Sequence, residues 1–347
     1  MTPRLASVAV AVPPFEIRQP DVVAASEKIF AGRAGTFDRL RPIYANAGIE
    51  TRYSCVPLSW YLQPHGWRER HDLFVKAALE LLQRAAEDCL ARSDIAAEQI
   101  DGLVVVSTTG MTTPSLDARL MERMNFRRDV QRLPIFGLGC AGGVLGLART
   151  AALARANPDQ HWLFLVAELC GLTFRPRDQS NGNIVATALF GDGAAAALVS
   201  CKAQGPAITA WGEHTWPGSL DVMGWEVEDD GFGVLFSRDI PTFVRRQFRE
   251  AADGFLAAHD LSLDDIDLFV MHPGGVKVIT ALEDALGVPA TALENSRVVL
   301  RDFGNMSAAT VMFVLERTLA QNGVGRILLG ALGPGFTAGF AILERGE

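Results

Sequence analysis

An internal repeat constrains what this chain can fold into more than any other feature. DIAAEQIDGLVVVSTTG from Asp94 is echoed by DLSLDDIDLFVMHPGG from Asp260, and Ile100-Asp101 matches Ile266-Asp267 at an offset of 266 − 100 = 166. GCAGGVLGLART from Gly139 is echoed at a similar offset by GNMSAATVMFVLERT from Gly304, and the apolar run at Trp162 by the run at Ile327. Strand-loop-helix units recur throughout α/β proteins, so one echo means little. Three echoes in one order at one offset imply a duplicated half. The join falls near Gln204-Gly205-Pro206, giving halves of 1–205 and 206–347.

Within each half the pattern alternates between strand and helix, as in an α/β fold with buried strands. Apolar runs of strand length are GLVVVS from Gly102, LPIFGL from Leu133, WLFLVA from Trp162, DLFVM from Asp267 and RILLGAL from Arg326. Helical periodicity covers Glu69 to Leu90, Ala141 to Ala156, Ile240 to Ala258 and Ser307 to Ala320. Hydrophobic residues make up 49% and charged ones 21%, which excludes a disordered chain. The net charge of −8 supplies no global attraction for nucleic acid. No apolar run reaches the eighteen or so residues of a membrane span. The opening MTPRLASVAVAVPPF, broken by Pro13 and Pro14, reads as a first strand and not a secretory segment. Five scattered cysteines without metal-type pairs point to a reducing compartment, and the expectation is a soluble cytoplasmic protein.

Three positions stand out chemically. Cys140, in FGLGCAGGVLGL, follows an apolar run that reads as a buried strand and opens a helix, where free N–H groups and the helix dipole favour thiolate. His272, in MHPGGVKVI, ends a buried strand, where ligands and catalysis collect in such sheets. Asn305, in DFGNMSAAT, occupies the turn of the second half that corresponds to Cys140, although Asn is also a good helix cap. The pseudo-twofold repeat brings thiol, imidazole and amide towards one centre. Cys, His and Asn in that order, with 272 − 140 = 132, also fit the papain spacing, but the CGSCW signature is missing. No Rossmann or Walker string follows a strand, which disfavours nucleotide-dependent redox or phosphoryl transfer.

GLGCAGG at Gly137, ALFGDGAAA at Ala188, HPGG at His272, GNMSAA at Gly304 and GPGFT at Gly333 together resemble the chalcone synthase-like, or type III, polyketide synthases of the thiolase superfamily. TRYSCVPLSWY, STTGMTTPSLDA and MGWEVEDDGFGVLFSRDIP look like the bacterial branch, closest to alkylpyrone and alkylresorcinol synthases. The resemblance implies a five-layer αβαβα thiolase fold, a homodimer, and coenzyme A thioesters as substrates with neither metal nor redox cofactor. It implies Cys140 as nucleophile, His272 as general base and oxyanion donor, and Asn305 as oxyanion amide. It places Phe190 between a coenzyme A tunnel and the active cavity, with Val234 at a second gatekeeping position. Thr108, Thr113, Cys170 and Thr173 fall on cavity positions, and so do Ser307 and Trp225, where plant members carry glycine at the Trp225 position. Arg39 and Arg41 are the expected contacts to coenzyme A phosphates. The implied reaction is decarboxylative condensation of malonyl-CoA onto a fatty acyl-CoA starter, then cyclisation. The rivals are a single-condensation ketoacyl synthase III-like enzyme and a non-catalytic partner subunit, for which the nucleophile is expected to be lost.

Overall fold

The computed structural model describes residues 1–31, 34–321 and 323–346. The chain begins with strand β1 (Arg4–Ala11). A two-stranded ribbon of β2 (Phe15–Arg18) and β3 (Thr51–Ser54) brackets helices α1 (Gln19–Ile29), α2 (Ala34–Leu40) and α3 (Pro42–Ala45). Next come α4 (Trp67–Ser93), β4 (Gly102–Val106), α5 (Leu116–Leu120), β5 (Gln131–Ile135), α6 (Gly142–Ala156), β6 (His161–Leu169), α7 (Asn181–Leu189) and β7 (Asp192–Ser200). Strand β8 (Ala207–Thr215) leads to a hairpin, β9 (Met223–Glu228) with β10 (Gly231–Phe236), and to α8 (Ile240–Ala257). The chain closes with β11 (Leu268–Met271), α9 (Val276–Leu286), α10 (Glu294–Phe303), α11 (Thr310–Leu319), β12 (Gly325–Gly333) and β13 (Thr337–Arg345).

Nine strands share one sheet in the order β11-β12-β13-β8-β1-β7-β6-β4-β5. The same pairing scheme occurs twice in it. Strand β4 is parallel to β6, which is antiparallel to β7, which is antiparallel to β1. Strand β11 is parallel to β12, which is antiparallel to β13, which is antiparallel to β8. Even the register recurs: Gly102 faces Trp162 and Leu268 faces Ile327, with 268 − 102 = 166 and 327 − 162 = 165. The two quartets touch through the pair Arg4 and Ala207.

The unbroken apolar runs exist because these strands are covered on both faces. Val104, Val106, Phe164, Val166, Ile327 and Leu329 point into one core shared with Val144 and Leu147 of α6 and Val311 and Leu315 of α11. Their neighbours Leu103, Val105, Leu163 and Leu165 pack on α4, while Leu328, Phe340 and Ile342 pack on α8 and α9. The layers therefore run α, β, α, β, α, as a thiolase-like fold requires. Helix α6 lies so close to the turn before α11 that a Cβ on Gly143 would collide with the Ala308 carbonyl.

Two details differ from the expectations. The run from Leu133 is not a buried strand: β5 is the edge of the sheet, and Leu133 and Phe136 are 37% and 50% exposed in this chain. The helix expected from Ser307 starts with a 3₁₀ turn, Ser307–Ala309, before α11. Among the described residues no helix is long and apolar enough to cross a membrane.

Candidate active site

The two halves deliver their loop ends to one cavity of about 400 Å³, whose lining includes Cys140, His272 and Asn305. Cys140 sits in a 3₁₀ turn, Gly139–Ala141, that runs straight into α6. Gly139 holds φ +48°, and a Cβ there would strike Pro334, so the turn can pack only with glycine at this position. The Gly139 N–H donates to the Thr108 hydroxyl at 3.1 Å, fixing the backbone just before Cys140.

His272 follows β11, and its N–H donates to the Gly330 carbonyl of the neighbouring β12 at 2.8 Å. The Pro-Gly-Gly turn then swings the chain into α9. Asn305 is bound to the end of α7 by a two-way bridge. Its N–H donates to the Leu189 carbonyl at 2.8 Å, and the Gly191 N–H donates to its carbonyl at 3.0 Å, so Asn305 lies beside Phe190. Its side-chain oxygen accepts the Ser307 N–H at 2.8 Å, and its amide N–H faces the Gly274 carbonyl at 3.3 Å. The acceptor end is thereby occupied, and the amide N–H donates to Gly274, itself part of the cavity wall. Ser307, itself at φ +48°, places its hydroxyl 3.5 Å from the Cys140 sulfur.

The thiolate expected at Cys140 is corrected by this geometry. The thiol is buried without an ionic partner, and desolvation pushes it up to about 12 despite the Ser307 hydroxyl and the nearby N–H groups. Burial alone takes His272 down to about 3, and neither ring nitrogen has a hydrogen-bond partner among the described residues. Burial thus favours the neutral form of both the thiol and the imidazole, working against the helix-end attraction.

A second, narrow cavity of about 80 Å³ is lined by Cys170, Thr173, Phe190 and Val234 and continues between Val22, Ala25 and Leu58. Phe190 lines only this second space, together with Val234, and its backbone is bridged to Asn305, which lines the main cavity. Thr108 is buried beside the nucleophile turn. Trp225 does not lie across either cavity; its indole N–H donates to the Thr108 carbonyl at 2.9 Å, and its ring stacks on Phe232. Thr113 is exposed on the loop before α5 and lines neither cavity within this chain, because the chain there turns outward next to exposed Met111.

Arg39 and Arg41 also fall outside the lining. Both are exposed, and Arg41 pairs with Glu27 at 2.9 Å, although the next turn contributes Pro42, Ile43 and Asn46 to the main cavity. The cationic residues that do line it are Arg238 and Lys277. Sequence reasoning missed them, yet the signal was there: Lys277 follows HPGGV and Arg238 precedes Pro241 in the SRDIP string. It also missed Glu168, the one charge inside the buried run WLFLVAEL. This carboxylate accepts the Thr108 and Thr109 N–H groups and the Thr109 hydroxyl, at 2.7 to 3.1 Å. Burial nonetheless raises it to about 7, with those bonds pulling the other way. Among the described residues no three His, Cys, Asp or Glu side chains cluster as a metal site would need.

Comparison with known proteins covers nearly the whole chain. Residues 61–203 match the N-terminal domain of chalcone and stilbene synthases, and residues 210–343 match the C-terminal domain. A 1,3,6,8-tetrahydroxynaphthalene synthase of Streptomyces peucetius subsp. caesius is 38% identical over 98% of this chain and 92% of its own length. Among solved structures, the 1,3,6,8-tetrahydroxynaphthalene synthase of Streptomyces coelicolor A3(2) superposes with a TM-score of 0.94 at 28% identity, covering 99% of both chains. PKS-I of the brown alga Ectocarpus siliculosus gives 0.93 at 27% identity, over 99% of this chain and 98% of that one.

Proposed function

The chain belongs to the chalcone and stilbene synthase family of type III polyketide synthases, acyltransferases that work on coenzyme A thioesters, and from that premise we propose how its own residues perform the reaction. The convergence of Cys140, His272 and Asn305 on one cavity carries the reading. Cys140 attacks the starter thioester, its proton passes to His272 and then to the departing coenzyme A thiolate, and a Cys140 thioester remains. Malonyl-CoA then enters with its thioester oxygen against the imidazole and the Asn305 amide. Carbon dioxide leaves, and the electron pair it leaves behind is held as an enolate by those two donors. The enolate carbon attacks the Cys140 thioester, sulfur leaves, and the chain is two carbons longer on coenzyme A. Arg238 and Lys277 supply positive charge for the coenzyme A phosphates, a role expected earlier of Arg39 and Arg41.

We further propose a medium or long fatty acyl starter and an alkylpyrone or alkylresorcinol product. The support is the apolar course of the narrow cavity behind Cys170 and Thr173, along Val22, Ala25 and Leu58. Each methylene buried there is worth about 0.8 kcal/mol. A second reading, an aromatic product built from malonyl-CoA alone, is favoured by the small volume of that cavity, about 80 Å³. Product mass spectrometry with acetyl- to palmitoyl-CoA starters and malonyl-CoA separates the two. Rising kcat/KM with chain length supports the first reading, and products from malonyl-CoA alone that are unchanged by starters support the second. A product stopping after one condensation would refute iterative extension. Intact-mass analysis of the same mixtures, with Cys140→Ala as control, places the acyl adduct on Cys140; an adduct elsewhere would overturn the mechanism.

The halves 1–205 and 206–347 are proposed as the duplicated units, and a cytoplasmic location is proposed on the support of the scattered cysteines. A homodimer is proposed on the exposed edge strand β5 and loop residues outside it, where Leu133 on the strand, Phe136 just after it and Met111 before α5 leave apolar surface uncovered.

A further inference from the structure

The hairpin β9–β10 carries a group for which the condensation chemistry has no direct use. The Trp225 indole N–H donates to the main-chain carbonyl of Thr108 at 2.9 Å. Its ring stacks on Phe232 with centroids 5.9 Å apart and meets Phe190 edge-on at 6.5 Å. Thr108 is buried, and each of its polar groups is held from a different element. Its N–H donates to the Glu168 carboxylate at 3.1 Å, its hydroxyl accepts the Gly139 N–H at 3.1 Å, and its carbonyl accepts from Trp225. A continuous chain of hydrogen bonds therefore runs from the hairpin to the residue immediately before Cys140.

We propose that Trp225 is a positioning residue for the Cys140 nucleophile, acting through Thr108 and Gly139; this rests on the reading of Cys140 as the acylation site. The physical reason is the burial of the Thr108 carbonyl. Without the indole N–H it is left unpaired away from water, and the segment turns to satisfy it. The Thr108 hydroxyl then moves away from the Gly139 N–H. Gly139, at φ +48° and lacking a Cβ, offers little stiffness of its own. His272 and Asn305 are anchored separately, on β12 and on the end of α7, so the effect falls on the thiol more than on the oxyanion donors.

Trp225→Phe keeps a ring against Phe232 and Phe190 but deletes the donor, whereas Trp225→His keeps a ring N–H. Acylation from an acyl-CoA and alkylation of Cys140 by iodoacetamide are followed by intact-mass spectrometry, and malonyl-CoA decarboxylation by release of labelled carbon dioxide. Trp225→Phe is expected to slow acylation and alkylation about ten- to a hundredfold, with a clearly smaller loss in decarboxylation, and Trp225→His to recover most of the acylation. Thr108→Val cuts the same chain at the hydroxyl. Adding Trp225→Phe to it is expected to cost little more, because both changes break one linkage. Acylation by Trp225→Phe within about twofold of the parent, equal losses in acylation and decarboxylation, or a double variant whose losses multiply would each overturn the inference. A parent enzyme that forms no adduct on Cys140 would instead overturn the nucleophile assignment beneath it.

Discussion

Replacing Arg52 with methionine tests how the fold holds Asn305, the proposed oxyanion amide. Arg52 is 5% exposed, and its guanidinium donates to the carbonyls of Thr187 at 2.9 Å, Ala188 at 2.8 Å and Phe190 at 2.8 Å, as well as to the Gln19 side chain. The intervening carbonyl, Leu189, accepts the Asn305 N–H. Four consecutive carbonyls at the C-terminal end of α7 are thus satisfied by one guanidinium and by Asn305, with the Gln19 amide adding a second donor to Ala188 at 3.2 Å. Burial lowers Arg52 to about 10, which still leaves it charged at neutral pH and favourably placed against the negative end of the helix. Methionine matches much of its length but donates nothing. The Thr187 and Phe190 carbonyls and the Gln19 side-chain oxygen, left unpaired, cost about 1 to 3 kcal/mol each, and removing the buried charge returns part of that, for a net loss of about 3 to 5 kcal/mol. At about 2.1 cal/mol/K per residue, 347 residues unfold with roughly 0.7 kcal/mol/K, so Tm is expected to fall by about 4 to 7 °C. Malonyl-CoA decarboxylation should fall with it, since the freed end of α7 is what holds Asn305. A differential scanning calorimetry midpoint within about 1 °C of the parent would refute the account.

The pH dependence of Cys140 alkylation follows from its thiol being pushed up to about 12. Its rate with iodoacetamide should climb about tenfold per pH unit from pH 6 to pH 9 without levelling. A plateau beginning near pH 6 would mean that a thiolate–imidazolium pair already exists. For Glu168 the folded value, raised to about 7 from 4.5, exceeds the unfolded one. Its stabilisation is therefore fully present below about pH 4.5 and is lost as pH rises through 7, by about 3 kcal/mol in all. The downward slope of Tm between pH 5 and pH 8 should be shallower in Glu168→Gln, and an unchanged slope would count against the assignment.

The fold was legible because its main signal is repetition. Buried strands of a parallel pair read as continuous apolar runs, and the offset between Ile100 and Ile266 survives as the register offset between Gly102 and Leu268. The same logic misplaced β5, since an apolar run reads alike whether helices cover it or it stands at a sheet edge. Cys140, His272 and Asn305, which line one cavity, stood out in the sequence for a related reason: Cys140 and Asn305 fall at corresponding points of the repeat, and His272 ends a strand. Arg238 and Lys277 were not, because a cation's distance from a cavity depends on how α8 and α9 are docked, and no periodicity records that.

The protonation state of the site marks a deeper limit. Sequence places Cys140 where a helix begins, and a helix end favours negative charge by a kcal/mol or so when exposed. Whether that attraction decides the outcome depends on how much water reaches the sulfur, and here the layers around α6 and α11 remove it. Desolvation acts on both members in the sense that keeps them neutral, raising the thiol and lowering the imidazole. A neutral pair suits a buried enzyme whose substrate brings its own charge: the proton moves only when a thioester carbonyl, already held by donors, can receive the electrons of the sulfur. In the proposed mechanism the donors at His272 and Asn305 then serve the enolate of malonyl-CoA in the same apolar setting, where a hydrogen bond to developing charge is strongest. Burial that weakens the free nucleophile thus strengthens the step that follows it.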